Sequence, residues 1–403
     1  MLINYTCRNY KSFKNEIIFS MQASPDTGLK HHLISSDFTE CVNEKLLKFA
    51  CIYGNNGSGK TSFVNSLMSL CELITDNDVL MPYEKLVQIP HKLSSPKEPT
   101  EYSILFEKKN IKYLYVLVYN EDKIFTENLY YWPNGRRAEI FERKGNEIHT
   151  SIQFKIIELA FRDKISENKI LLPLAAKEVP GSVVADVYDF FNKDLVFYNG
   201  KENDWLTYTA EGIEKNKVVK DLVIETLNEN GIPVKDIFAR VDMMPIPEYE
   251  IPASLPEAYK KVLRANKKKV PVIKLKYENF EVSIEEESEG IKKLVQMLGP
   301  VINIIVDDRI LICDEMECFL HPAVIRYLFN LFTKQNLRKA QLITTTHSLD
   351  FIDNKILRRD QIWLTDNNNG ERSARMYRLS DIKGVRKDEN LRKMYLSGEY
   401  GMG

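Results

Sequence analysis

The chain has 403 residues, 44% of them hydrophobic, which is enough apolar material for more than one core and excludes a low-complexity or fibrous protein. Lysine and arginine number 56 against 57 aspartates and glutamates, so no bulk field draws nucleic acid or an anionic membrane, and any such contact has to be local. The opening residues MLINYTCRNYKSF lack the apolar stretch of a secretory signal, and no run approaches the roughly 20 apolar residues of a spanning helix. The expected location is therefore cytoplasmic, with no membrane partner. Cys7, Cys41, Cys51, Cys71, Cys313 and Cys318 are scattered without a CxxC pair, a pattern that reads as buried reduced thiols rather than a zinc site or a disulfide framework.

Residues 1–20 alternate and are rich in aromatic and β-branched side chains, which predicts a strand or hairpin; a polar loop carrying His31 and His32 follows. The run LLKFACIY at 46–53 has the pattern of a buried strand, and 61–74 that of an amphipathic helix, with a glycine-rich turn between them. Over 102–140 the runs YSILF, YLYVLVY and LYYW are separated by KKN, NED and PNG, the signature of an antiparallel meander. Residues 151–269 turn helical and irregular, broken by Pro173, Pro180, Pro233 and a proline-rich stretch at 245–256, and predict an inserted helical subdomain.

Strand patterns return at VIKLKYENFEVSI, followed by a helix over 290–298, the strand ILICD, a helix over 321–335 and the strand QLITTTH. Such alternation predicts an α/β fold with a mainly parallel core sheet, whose ligand site lies beyond the carboxyl ends of the strands. The expected domains are an N-terminal lobe at 1–150, the inserted helical subdomain at 151–270 and a C-terminal lobe at 271–403.

Gly54, Asn55, Asn56, Gly57, Ser58, Gly59, Lys60 and Thr61 fit the P-loop pattern in full, between an apolar strand and a helix as its mechanism demands. Glycines let backbone N–H groups face phosphates, the next helix offers its positive end, Lys60 reaches the β and γ phosphates, and the Thr61 hydroxyl ligates Mg²⁺. The expected ligands are thus ATP and Mg²⁺, with Ser62 at the edge of the nucleotide site. The apolar run 310–313 ends in Asp314 and Glu315; Asp314 is placed to hold Mg²⁺ or its water, and Glu315 to orient and deprotonate the attacking water. His347 follows a run of β-formers, with Ser348 next to it, and is expected to contact the γ-phosphate or else to cap the strand.

In this order the motifs resemble the ABC-type ATPases of the RecF, SMC and OLD group over nearly the whole chain. Asn9, Tyr10, Lys11, Ser12 and Phe13 resemble that group's N-terminal strand motif, GNNGSGKTS its Walker A, ILICDE its Walker B and TTTHS its switch histidine. The resemblance implies a P-loop ABC-ATPase head with an antiparallel β subdomain and the inserted helical subdomain. ECFLHP at 317–322 resembles the segment that meets a partner subunit in the group, and Ser288, Glu289 and Gly290 fit its shortened signature. By resemblance Ser288 and Gly290 contact the γ-phosphate bound to another protomer, which implies an ATP-dependent head-to-tail homo-oligomer. The alternative for this segment is an acidic turn with an ordinary helix N-cap. Gln88 is the nearest glutamine to a metal-contacting loop context.

Near the carboxyl end, RDQIW at 359–363 and YLSGEYG at 395–401 resemble the ATPase subunits of abortive-infection systems, such as RloA, AbiL-type proteins and the AriA subunit of PARIS. That resemblance implies an anti-phage sensor that answers a phage protein and controls a separate effector, a TOPRIM-type nuclease. The alternative is a RecF-like ATPase that clamps DNA. The basic residues Lys260, Lys261, Lys267, Lys268 and Lys269 read as a solvated helix end or as a nucleic-acid or partner contact.

Overall fold

The computed structural model describes residues 1–35, 45–76, 81, 83–198, 204–252, 255–318, 322–334, 339–367, 372–386 and 389–400; Cys41, residues 319–321, Gln335 and Gly401 lie outside them. In chain order the strands are β1 (Leu2–Arg8), β2 (Ile17–Ser20), β3 (Leu33–Ser35), β4 (Lys45–Leu47), β5 (Phe49–Gly54), β6 (Thr100–Lys108), β7 (Ile111–Tyr119), β8 (Ile124–Trp132), β9 (Ala138–Lys144), β10 (Glu147–Thr150), β11 (Leu195–Tyr198), β12 (Asp236–Pro245), β13 (Lys267–Lys276), β14 (Glu281–Ser283), β15 (Ile310–Cys313), β16 (Gln341–Thr345), β17 (Ile362–Asn367) and β18 (Ala374–Arg378). The α-helices are α1 (Lys60–Asp76), α2 (Lys155–Phe161), α3 (Leu171–Glu178), α4 (Val183–Asp189), α5 (Asp204–Lys215), α6 (Lys217–Glu229), α7 (Glu257–Ala265), α8 (Glu289–Val306), α9 (Pro322–Lys334) and α10 (Leu391–Leu396). They divide into two compact units: Met1–Asn199 with Asp308–Glu317 and Phe329–Gly403, and Gly200–Asp307 with Cys318–Leu328.

The first unit holds two large sheets. One is antiparallel, in the order β10-β9-β8-β7-β6-β1-β2, and contains the meander read from the sequence with β1 and β2 added at its far side. Its strands alternate buried and half-buried residues, as one-sided packing requires. The other has the order β11-β15-β16-β5-β17-β18 and is parallel except at the β17–β18 edge. Its central strands β5, β15 and β16 are buried at every residue, because a parallel sheet is covered on both faces.

Three buried polar groups bind this unit together. The Gln341 amide at the start of β16 accepts from Leu2 N–H at 2.6 Å and donates to the carbonyls of Leu2 and Leu47 at 3.1 Å, joining the two sheets. Glu127, fully buried on β8, pairs with Arg143 of β9 at 3.3 Å and accepts from Tyr115 at 3.1 Å and from the N–H groups of Leu171 and Leu172 at 2.7 and 2.8 Å. The carboxylate thereby serves the exposed donors and the positive end of α3. At the start of the RDQIW segment, Asp360 forms a buried pair at 2.7 Å with the preceding Arg358 that holds the chain near Ser24, and Gln361 joins His32 at 2.9 Å to the Phe49 carbonyl at 3.0 Å. His32 is therefore a buried structural residue rather than a loop side chain.

The second unit packs α5, α6 and α8 with the sheet β12-β13-β14 around Val219, Val223, Leu227, Ile273, Leu275 and Leu298. Strands β11 and β12 fall in the stretch expected to be helical: β11 is only four residues long, and the charges and terminal proline of β12 hide its pairing with β13. Helix α8 runs past Leu298 through Pro300, which cannot donate to the Gln296 carbonyl. The Thr209 hydroxyl fills that place, donating to Gln296 at 3.0 Å while it accepts from Gly299 N–H at 3.2 Å. Lys267, Lys268 and Lys269 start a strand rather than end a helix. Among the described residues, no helix is long and apolar enough to cross a membrane.

Candidate functional site

Strand register in the parallel sheet brings the sequence motifs of the first unit to one edge. Cys313 pairs with Thr344, Thr344 with Cys51, and Gly54 with Thr365, so β15 and β16 end within one residue of each other, β5 runs two residues past the end of β16, and β17 two residues past Gly54. Beyond β5 the chain turns through Asn55–Gly59 and enters α1 at Lys60. Ser58 N–H closes the turn on the Asn55 carbonyl at 3.1 Å, and Gly57 and Gly59 adopt φ of 76° and 111°, a region that glycine enters without a steric cost. Gly54 answers a different need: a Cβ there would lie 2.3 Å from the hydroxyls of Ser58 and Thr365.

The loop is clamped from β17. Ser58 and Thr365 share a hydrogen bond of 2.7 Å, Thr365 also donates to the Tyr53 carbonyl at 3.1 Å, and the Asn367 amide donates to the Gly57 carbonyl. From the other side Phe13 lies against Gly59, and the Ser12 and Ser62 hydroxyls meet at 2.8 Å. The N-terminal motif thus buttresses the loop, and the Ser62 hydroxyl is engaged there. Lys60 is buried and donates to the carbonyls of Gly54 and Asn55 at 2.8 and 3.2 Å. Burial draws its ammonium below the usual lysine range, while Glu315, Asp314 and Glu317 pull it back. Asn55, Asn56, Gly57 and Thr61 are exposed.

Asp314 and Glu315 follow β15 directly. The Thr345 hydroxyl, brought opposite by the β15–β16 register, donates to the Asp314 carboxylate and accepts from Glu315 N–H at 2.8 Å. Glu315 has φ of 50°, a left-handed conformation that costs a side-chain-bearing residue about 1–2 kcal/mol and that the Thr345 bond helps to hold. His347 Nε2 lies 3.7 Å from Glu315 Oε1, and its backbone N–H donates to Glu317. Lys60, Asp314, Glu315 and His347 are thus brought together, Thr345, Thr365 and Asn367 join them without having been singled out in the sequence, and Glu317 joins them from the segment likened above to a partner contact. A run of threonines at a strand end is the one sequence signal for Thr345.

The remaining candidates are Gln88, Ser288 and Gly290. Gln88 spends its amide inside a loop, donating to the Glu98 carbonyl and Thr100 at 2.9 and 3.1 Å and accepting from Glu121 N–H at 3.1 Å. Ser288 and Gly290 belong to the second unit, where Ser288 caps α8 by accepting from Ile291 N–H at 3.4 Å and a Cβ on Gly290 would meet nothing within 4 Å. Both residues lie on open surface.

The family model described as AAA domain, putative AbiEii toxin, type IV toxin–antitoxin system, matches residues 49–353. Among curated proteins none matches the sequence. Solved structures that resemble the chain include the SMC head bound to the C-terminal winged-helix domain of ScpA, 14% identical with a TM-score of 0.44 over 95% of this chain and 99% of that one. The SMC head domain from Thermotoga maritima is 12% identical, with a TM-score of 0.41 over 94% and 98%. An SMC head with an extended coiled coil, bound to the C-terminal domain of ScpA derived from Pyrococcus furiosus, is 13% identical, with a TM-score of 0.36 over 99% of each chain.

Proposed function

The chain belongs to the AAA domain family described as putative AbiEii toxin, type IV toxin–antitoxin system, and from that premise we propose that it binds and hydrolyses Mg·ATP at the edge of its parallel sheet. The observation that carries the reading is the register of β5, β15 and β16, which sets the phosphate loop, the Asp314–Glu315 pair and His347 side by side. Backbone N–H groups of 54–62, the amino end of α1 and Lys60 receive the β and γ phosphates. On binding, Lys60 exchanges its two loop carbonyls for phosphate oxygens, a stronger charge-assisted pairing.

The exposed Thr61 and the Asp314 carboxylate are the hard-oxygen donors that would hold Mg²⁺. When bound, Mg²⁺ neutralises charge on the β and γ oxygens. Glu315 orients the attacking water and takes its proton, and His347 contacts the γ-phosphate. Ser288 and Gly290 close on the nucleotide of a second copy, a role compatible with a capped helix start that has open space at Gly290.

In the cell we read the ATPase as the sensor subunit of an abortive-infection system, whose nucleotide-dependent assembly restrains or releases a separate effector nuclease. The toxin–antitoxin description of the family supports this role, as does the arrangement of the basic cluster. Of that cluster Lys260, Lys268 and Lys269 are paired with Glu257, Glu250 and Glu211, and neighbouring Arg264 with Glu248, at 2.5–3.1 Å, which neutralises most of the charge a DNA track would need.

The test is the Glu315→Gln protein. It should bind ATP normally, hydrolyse it about 10²-fold more slowly and accumulate as an ATP-bound oligomer. When purified from cells carrying the neighbouring genes it should retain a protein partner. Normal turnover would remove Glu315 as the base, and retention of nucleic acid without a partner protein would replace the sensor role with a DNA-clamping one.

A further inference from the structure

Glu317 lies in the short 3-10 turn Met316–Cys318 just after the Asp314–Glu315 pair, and the reading above gives it no role in the reaction. Its two carboxylate oxygens are treated differently. One accepts the backbone N–H of His347, thirty residues on; the other is buried and, among the described residues, accepts no hydrogen bond. Burying a carboxylate oxygen without a partner opposes folding, so the fold's own stability does not account for an acid here. The same carboxylate contributes to the field at Lys60, alongside Glu315 and Asp314.

We propose that Glu317 is a positioning residue for the switch histidine, fixing the His347 backbone so that the imidazole stands beside Glu315. The inference rests on the hydrolysis reading given above. The connection is local and complete. Left-handed Glu315 turns the chain back after β15, which brings Glu317 toward the end of β16. There Thr346 N–H is held by the Ile52 carbonyl at 3.0 Å and Ser348 N–H by the Thr346 hydroxyl at 3.0 Å, while His347 N–H is held by Glu317. Of these three consecutive donors, the one belonging to the histidine reports to the turn that carries the catalytic base. A shift of the Asp314–Glu315 turn therefore carries the histidine with it, and the pair keeps its 3.7 Å spacing.

The experiment compares Glu317→Ala, Glu317→Gln and His347→Ala, alone and in the Glu317→Ala/His347→Ala pair, in the full chain. Glu317→Ala should lower kcat roughly 10²-fold, the size of effect that a misplaced catalytic contact produces, with ATP affinity within about threefold of the parent. Glu317→Gln keeps the acceptor and should stay within about threefold in kcat. In the His347→Ala background Glu317→Ala should add less than about twofold, since both changes remove one function. Independent losses in the double variant, or a Glu317→Gln loss as large as that of Glu317→Ala, would overturn the proposal, the latter by making charge rather than the hydrogen bond decisive. A readout free of turnover separates this from the ATPase assignment. In protein labelled at histidine Cε1, the His347 resonance, assigned by its absence in His347→Ala, should move in Glu317→Ala and hold in Glu317→Gln. Lack of hydrolysis by the parent protein would remove the base assignment, whereas an unmoved resonance in Glu317→Ala would remove the positioning role.

Discussion

Glu127 and Glu317 each bury carboxylate oxygen in the first unit, Glu127 entirely and Glu317 at one oxygen, and the protein treats them in opposite ways. Glu127, within the antiparallel sheet, is surrounded by an arginine, a tyrosine and two backbone N–H groups. Glu317, at the end of the parallel sheet, keeps one buried oxygen without a partner among the described residues. Burial pushes the Glu127 carboxyl above its usual range, and Arg143, the N–H groups of Leu171 and Leu172, and Tyr115 oppose that push. A satisfied buried charge specifies structure, since every bond it makes fixes one element against another. An unsatisfied one marks a place where local stability has been given up, and such places gather at sites of chemistry.

The largest effect should come from breaking the satisfied side. Glu127→Ala leaves Arg143 buried without its counter-ion and removes the acceptor at the start of α3, so urea denaturation should register a loss of about 3–5 kcal/mol. A loss below about 1 kcal/mol would erase the contrast with Glu317. Next comes His32, whose imidazole burial holds down to about 4, with the charges of His31, Arg358 and Lys48 acting in the same direction and the Gln361 bond against it. Because the folded form refuses a proton that the unfolded chain accepts below about 6.5, stability falls as pH drops from about 6.5 to 4 and levels off below. The full contribution is up to about 3 kcal/mol, and it should vanish in His32→Gln when denaturation is followed across that range.

Thr345→Val tests the site side directly. It removes the hydroxyl that joins Asp314 to Glu315 N–H, and should cost about 1–2 kcal/mol of stability together with most of the hydrolysis. The smallest effect is expected at Gly290, where open space and an ordinary backbone angle accept a methyl group: Gly290→Ala should stay within about 0.5 kcal/mol in thermal melts. A larger loss would show that the start of α8 is packed rather than presented.

The strands of the parallel sheet could be read directly, because β5, β15 and β16 are buried on both faces and appear as continuous apolar runs ending in polar residues. The glycine-rich loop and the places of Asp314, Glu315 and His347 at the strand ends could be read for the same reason: each follows such a run. What stayed hidden depends on pairing between distant segments. Thr365 matters because β17 pairs with β5 from more than 300 residues away, and Glu317 because a turn reverses after β15. The helix expected over 290–298 continues as α8 through Pro300, because Thr209, on another helix, serves the carbonyl that the proline leaves open. Strand β12 hides among charges and prolines that its pairing with β13 overrides.

One feature of the parallel sheet has a mechanical side. Gln341 and His347 bracket β16, a strand of five residues that spans about 17 Å. Its first residue is fastened through a side-chain amide to the backbone of β1 and β4, and the chain just past its end carries the imidazole beside Glu315. Such a strand behaves as a strut between two joints, stiff along its axis because both neighbours grip it throughout. Slack at the glutamine joint would be delivered to the histidine joint with little loss, so the tightness of an amide at the far end of the strand helps to set how firmly the imidazole is held beside Glu315.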